Sequence, residues 1–321
     1  MNQIISFLTS IFRKISSVFL SVFVALGLVA GNAVQSRDAI TFKNPDAVKL
    51  SAVLISDTHI KNDGITGTQL QKAVEDINAS EKPFDALVLS GDITDAGDKT
   101  SFGIAWSNLE KLKNIKILLT MGNHDSWSYD TAVKQIKTKA TQYLDKTVDK
   151  PYYSYDLNGF TFIVLGSESA NSDKAYISQQ QLSFLDSELA RATKDGKPAF
   201  VICHFPLKNT HGLPDIWRSG GDIGEQSDAI RNILTKYKNV FYINGHLHTG
   251  VSADSLVILN ADKGVYSINL PAYGQPNAAG TFKITGLATY MEVYDKEVVF
   301  TLRNFQEGKA VGGFSRSITL K

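Results

Sequence analysis

Five times along this chain a short apolar run stops at a cluster of Asp, Asn, His and Gly, and that repetition constrains the fold more than any other feature. Ala52-Val53-Leu54-Ile55 leads into Ser56-Asp57-Thr58-His59, and Ala86 to Leu89 leads into Ser90-Gly91-Asp92. Ile115 to Leu119 precedes Met121-Gly122-Asn123-His124-Asp125, and Ala199 to Ile202 precedes Cys203-His204. Val240 to Ile243 runs into Asn244-Gly245-His246-Leu247-His248-Thr249. Runs this short and apolar read as strands buried on both faces. Helical patterns lie between them: Gln69 to Ile77, with Leu70, Ala73, Val74 and Ile77 on one face, then Phe102 to Leu112, Tyr129 to Tyr143, Ser178 to Ala192 and Glu225 to Tyr237. Strand and helix in alternation imply an α/β sheet covered by helices. Ligands bind beyond the carboxyl ends of such strands, so the five runs bring their polar residues to one place.

A second pattern interrupts the first. Tyr152 to Asp156 and Phe160 to Leu165 flank Asn158-Gly159, a strong hairpin signal. The last third continues with strand-like runs at Val257 to Leu259, Gly264 to Leu270, Thr281 to Ile284, Ala288 to Tyr294 and Val298 to Arg303. Two sheets packed face to face, with helices outside, accommodate both patterns, so the expected fold is an α/β class β-sandwich flanked by helices. No internal repeat or linker divides it, and one catalytic domain is expected over residues 40–321.

Lys+Arg 33 against Asp+Glu 32 leaves a formal charge of +1, which offers no basic field for nucleic acid. Cys203 is the only cysteine, so no intrachain disulfide is available. Residues 1–33 stand apart. Arg13 and Lys14 precede the apolar run Ile15 to Ala30, which ends in Gly31-Asn32-Ala33. This is the pattern of an export signal, either cleaved near Val34 or retained as a membrane anchor. The expected location is therefore outside the cytoplasmic membrane, secreted or tethered.

The polar clusters contain oxygen and imidazole donors, with no thiolate expected to take part. That mixture suits Mn, Fe or Zn better than Ca or Mg, which prefer all-oxygen shells. Two aspartates, one asparagine and four or five histidines exceed what one tetrahedral ion uses. Two ions sharing a bridging carboxylate, about 3.5–4 Å apart, would use them all, and such a pair is the usual clamp for displacement at phosphorus. Gly91, Gly122 and Gly245 are expected to permit tight turns that aim the next side chain inward.

Asp57-x-His59, Gly91-Asp92, Gly122-Asn123-His124-Asp125, the lone His204 and Gly245-His246-x-His248 resemble, in order, the five motifs of the calcineurin-like metallophosphoesterases. The resemblance spans about residues 50–250. It implies one metal on Asp57, His59, Asp92 and His248 and a second on Asp92, Asn123, His204 and His246, with Asp92 bridging. It further implies attack on phosphorus by a hydroxide between the ions, with His124 assisting departure of the ester oxygen. Asp125 is placed either to hold the His124 imidazole or to cap the helix beginning near Tyr129.

The substrate expected is a small-molecule phosphate ester. A nucleotide-type phosphodiester is favoured, since the resemblance is loosely to the cyclic-nucleotide phosphodiesterase branch, and phosphomonoesters are close behind. Phe205 to Gly224 is a long polar loop holding His211, Trp217, Arg218 and Asp222, in which Trp217 could stack on a base and Arg218 could clamp a phosphate, or the loop could pack as a lid on its own tryptophan. An exported binding protein without turnover is the main alternative. A peptide or amide hydrolase is disfavoured by the absence of His-Glu-x-x-His.

Overall fold

The apolar runs become strands whose alternate residues feed different cores. In the computed structural model, which describes residues 36–170, 174–210, 221–248, 255–277 and 284–321, β1 is Leu50–Ile55, β2 Ala86–Ser90 and β3 Lys116–Thr120. The hairpin follows as β4 (Tyr153–Leu157) and β5 (Phe160–Val164), then β6 (Ala199–Ile202), β7 (Val240–Asn244), β8 (Leu256–Asn260) and β9 (Val265–Asn269). The chain ends with β10 (Leu287–Val293), β11 (Glu297–Asn304) and β12 (Lys309–Thr319). The helices are α1 (Thr66–Asn78), α2 (Lys99–Leu109), α3 (Tyr129–Leu144), α4 (Gln179–Ala192) and α5 (Ser227–Leu234). Arg37–Lys321 make up one compact unit. The export signal or anchor expected over residues 1–33 lies outside the described residues, and among the described ones no helix is long and apolar enough to cross a membrane.

Among the described residues the strands form two six-stranded sheets, ordered β12-β11-β10-β1-β2-β3 and β4-β5-β6-β7-β9-β8. In the first, β1, β2 and β3 are parallel, while β10 to β12 join antiparallel. In the second, β5, β6, β7 and β9 are parallel, with β4 and β8 as antiparallel edges. Phe162, Phe200 and Phe241, on neighbouring strands of the second sheet, turn toward the first, and the Phe241 and Phe300 rings meet across the interface at 5.7 Å. The residues between them, Ile163, Val201 and Tyr242, face outward into a separate core closed by Leu182, Leu185 and Leu189 of α4 and Ile230, Ile233 and Leu234 of α5. An apolar run without polar alternation is what a strand covered on both faces requires. Helices α1 to α3 add Leu70, Phe102, Trp106 and Ile136 to the larger core.

Local chemistry sets several boundaries. Asn158 and Gly159 both have positive φ (52° and 82°), so the hairpin forms as its dipeptide specifies. Helix α2 begins at Lys99, earlier than its apolar pattern, because the Asp98 carboxylate caps the Thr100 and Ser101 N–H groups. Helix α5 is shorter than its periodicity suggests. The last strand, β12, has no counterpart in the sequence reading: it is an edge strand, largely exposed, carries Gly312-Gly313, and needs no apolar alternation to pair with β11. The strand expected over residues 281–284 falls almost wholly outside the described residues.

One buried ion pair ties α1 to the first sheet. The Arg303 guanidinium of β11 meets the Asp76 carboxylate through two bonds (Nε–Oδ2 2.7 Å, Nη2–Oδ1 3.0 Å), with both side chains about 2% exposed. Arg303 also donates to the Asp38 carbonyl. Removing one partner strands a buried charge, so Asp76→Ala is expected to cost about 3–5 kcal/mol in urea unfolding. The double variant Asp76→Leu/Arg303→Met should lose clearly less; equal or greater loss would show that the packing of these side chains, and not the stranded charge, sets the cost.

Candidate metal centre

The five strands whose ends carry the polar clusters come from both sheets, and the gap between the sheet ends is the site. Strands β1, β2 and β3 supply Asp57, His59, Asp92, Asn123 and His124, while β6 and β7 supply His204, His246 and His248. Backbone bonds lock the loops together: Asp57 N–H donates to the Gly91 carbonyl, His59 N–H to that of Asp92, and Gly245 N–H to that of His204. Across the sheets, Thr120 Oγ1 donates to the Leu165 carbonyl at 2.6 Å and His204 Nδ1 to that of Ser90 at 2.8 Å.

Asp57, His59, Asp92, His246 and His248 all have positive φ, between 44° and 74°. Side chains with a Cβ avoid this region, and a site with that much local strain must be held by its surroundings. In this conformation the five side chains converge. His59 Nε2 and His248 Nε2 stand 3.1 Å apart, and His248 Nε2 is 3.1 Å from Asp57 Oδ1. His204 Nε2 is 3.1 Å from Asn123 Oδ1 and 3.4 Å from Asp92 Oδ2. The donor atoms of Asp57, His59 and His248 all lie within 4.8 Å of one another, as do those of Asp92, His204 and His246. Donors about 2.1 Å from one tetrahedral ion sit about 3.4 Å apart, so both groups have the spacing and chemistry to hold a transition metal. Asp92 stands between them: Oδ2 is 3.6 Å from His59 Nε2 and 3.4 Å from His204 Nε2, while Oδ1 accepts the His124 N–H at 2.9 Å.

Hydrogen bonds behind the donors choose the tautomers. A carbonyl only accepts, so the bond from His204 Nδ1 to Ser90 fixes one proton on Nδ1 and leaves Nε2 as the atom that faces inward, where a metal would displace any proton it carries. His59 Nδ1, 3.2 Å from Asp95 Oδ1, is held the same way by a carboxylate. Burial pushes the Asp57 carboxyl up, but His248, His204 and His59 outweigh it and hold it well below the usual range. Asp92 is likewise lowered, to about 2, because His204 and His59 overcome its burial. Burial and then the charge of His204 push the His246 imidazole down to about 3, which keeps it neutral as a ligand must be. Burial also disfavours the His204 cation, yet the adjacent Asp92 and Asp57 raise its pKa to about 9.

The position of Asp125 corrects the orienting and capping roles considered for it. Its fully buried carboxylate accepts from the N–H groups of Ile93, Thr94 and Gly122 and from Thr94 Oγ1, and so fastens the loop after β2 to the loop after β3. It does not hold His124. The His124 Nδ1 donates instead to the Asp95 backbone carbonyl at 3.0 Å, with Asp95 Oδ1 at 3.9 Å. Asp95 carries no motif signal in the sequence beyond its place three residues after Asp92 in the same loop. Trp127, also without a motif signal, stacks on the His124 ring at 4.6 Å.

Two of the three glycines act differently from expectation. Gly91 has φ +85°, but Gly122 and Gly245 do not adopt positive φ. A Cβ on Gly122 would lie 2.0 Å from Asp92 Oδ1, and one on Gly245 1.8 Å from Ser56 Oγ and 2.5 Å from Asp57 Oδ2. They are glycines because backbone passes against the carboxylates. Cys203 points into the outer core, where burial pushes its thiol up to about 11, consistent with an inert residue. Of the long loop, His211, Trp217 and Arg218 lie outside the described residues, while the Asp222 carboxylate is turned back onto the Gly224 N–H.

A family model for calcineurin-like phosphoesterases matches residues 50–250, the stretch that contains every residue of the centre. A "probable cyclic nucleotide phosphodiesterase" from Rhodococcus erythropolis is 26% identical over 276 residues, covering 78% of this chain and 82% of its own. A protein of the same description from Ruthia magnifica is 26% identical over 62% of this chain and 78% of its own. Among solved structures, a dimetal phosphatase from Danio rerio superposes with a TM-score of 0.59 at 15% identity, covering 85% of this chain and all of that one, which shows a shared fold. With the family model spanning well over half of its length, this chain belongs to the calcineurin-like phosphoesterases.

Proposed function

We propose that this protein hydrolyses phosphodiesters of nucleotide type, with two ions of Mn, Fe or Zn held by Asp57, His59, Asp92 and His248 and by Asp92, Asn123, His204 and His246. The observation that carries this reading is the Asp92 carboxylate, one oxygen of which faces an imidazole from each donor group. Bound there, the ions supply Lewis acidity toward phosphoryl oxygens and toward water. Every other part belongs to the chain. Asp57 and Asp92 provide the negative charge that offsets two cations, and Asn123 contributes a neutral oxygen, so the centre retains net positive charge for an anionic ester. His124 reaches the site edge with Nδ1 committed to the Asp95 carbonyl, so Nε2 is the atom left to deliver a proton to the departing oxygen. The nucleotide preference is supported by the names of the two curated relatives. We further propose that residues 1–33 direct the protein out of the cytoplasm, which recovery of the full chain from the cytoplasmic fraction would refute.

Metal-depleted protein should be inactive on a panel of nucleotide and nitrophenyl diesters, with turnover restored by Mn, Fe or Zn and not by Ca. His204 carries a proton up to about pH 9 before metal arrives and must lose it to coordinate. Metal uptake at pH 7 should therefore release protons, and apparent affinity should climb as pH rises toward 9. Calorimetric titration in two buffers of different ionisation enthalpy reads this directly; a buffer-independent heat would contradict the assignment of His204.

His124→Ala should keep its full metal content. On an alkyl or ribose ester, whose alkoxide needs a proton to leave, kcat should fall about 100-fold or more. On a nitrophenyl ester, which leaves as a tolerable anion, the loss should be clearly smaller. Equal losses would mean that His124 works through charge or binding, and a loss of metal would move it into the ligand set.

A further inference from the structure

Trp127 is 59% exposed, a large aromatic surface left open to solvent, and it stands beside His124 at the mouth of the centre and not on a remote surface. Its indole stacks on His124 at 4.6 Å with 29° between the planes, and His124 in turn meets the His59 ring edge-on at 4.6 Å. Three rings thus run from a metal donor, through the histidine facing the leaving group, to an open aromatic surface.

The turn that carries Trp127 is fixed on both sides. It occupies a short 3-10 segment, Asp125–Ser128. At the start of that segment, Asp125 is buried and accepts four hydrogen bonds. Ser126 Oγ donates to the Asn123 carbonyl at 2.7 Å, and Ser128 Oγ donates to the Ala96 carbonyl at 3.0 Å. Such a turn holds an indole in place without packing it into the core. Packing alone would bury the ring, since a large apolar surface left in water gains nothing for the fold.

We propose that Trp127 is a specificity-determining residue, whose indole stacks on a planar ring in the organic part of the ester, with a nucleobase as the class of group it selects. This rests on reading the site as a phosphodiesterase, and it names the part of the substrate that the phosphate-binding residues do not read. Every nucleobase has a π-face, so stacking selects for bases as a class over aliphatic groups. His124 and Trp127 then act on the same side of the phosphate, one on the departing oxygen and the other on the group attached to it.

The test compares two monophosphates that share ribose and phosphate and differ in the base: AMP and ribose 5-phosphate. Binding of each to the full, Mn-loaded chain is measured by calorimetry, with phosphate release followed in parallel so that only intact ligand is counted. Wild-type protein should bind AMP about 10-fold or more tightly than ribose 5-phosphate, in line with the contribution of one stacked base. Trp127→Ala should bring that ratio close to one by weakening AMP alone, and Trp127→Phe should retain most of it. No preference in the wild type, a preference that survives Trp127→Ala, or equal weakening of both ligands would each overturn the proposal. Failure of the phosphodiesterase reading would show itself separately, as absence of diester turnover with the binding ratio intact.

Discussion

The Asp92 carboxylate is held from several directions at once. One oxygen is fixed by the His124 N–H, the other faces His59 and His204, and the Gly122 backbone passes so close that no Cβ fits between them. Its backbone sits at φ +47°, in the left-handed region that residues with a Cβ occupy uncommonly. The two sheets must meet at a fixed separation for His204, from the second sheet, to reach a carboxylate of the first. The bonds from His204 to Ser90 and from Thr120 to Leu165 set that separation. The phenylalanines between the sheets fill the gap behind it.

Placing negative carboxylates and imidazoles together in a buried cleft is costly without a counter-charge, because burial disfavours each charged form. The pattern of shifts shows how this chain manages it. His246 is driven neutral while His204 keeps a proton between Asp57 and Asp92, so the metal-free centre carries its own partial neutralisation. The arrangement suits a site that exchanges a proton for an ion. It also explains why the polar network behind the donors is dense: Asp95, Ser90 and Asp125 each fix a loop or a ring that would otherwise relax away from the strained geometry.

Much of this was legible in the sequence, since buried strands announce themselves as apolar runs and the site lies where such runs stop. The strands bearing the ligands appeared within a residue or two, as did the Asn158-Gly159 hairpin, because local chemistry alone decides both. Edge strand β12 did not, since pairing at a sheet edge demands little of its side chains. Asp125 was misplaced for a related reason. Adjacency to His124 suggested contact, but its carboxylate turns inward to three backbone N–H groups and a hydroxyl, and a long-range partner, Asp95, holds the histidine. Gly122 and Gly245 were identified as necessary for the wrong reason, because a close approach between distant segments leaves no trace in local sequence. Trp127 has no periodic or motif signal, and only the fold shows that it stands beside His124.

The central claim is that the two donor groups form one centre joined through Asp92. Metal stoichiometry tests this most directly, by titrating metal-free protein with Mn and counting ions per chain, for wild type and for Asp92→Asn. Two ions should bind to the wild type, and the single substitution should weaken both, because it removes a charge that each ion uses. One ion per chain in the wild type, or a variant that still takes up two with unchanged affinity, would contradict the account.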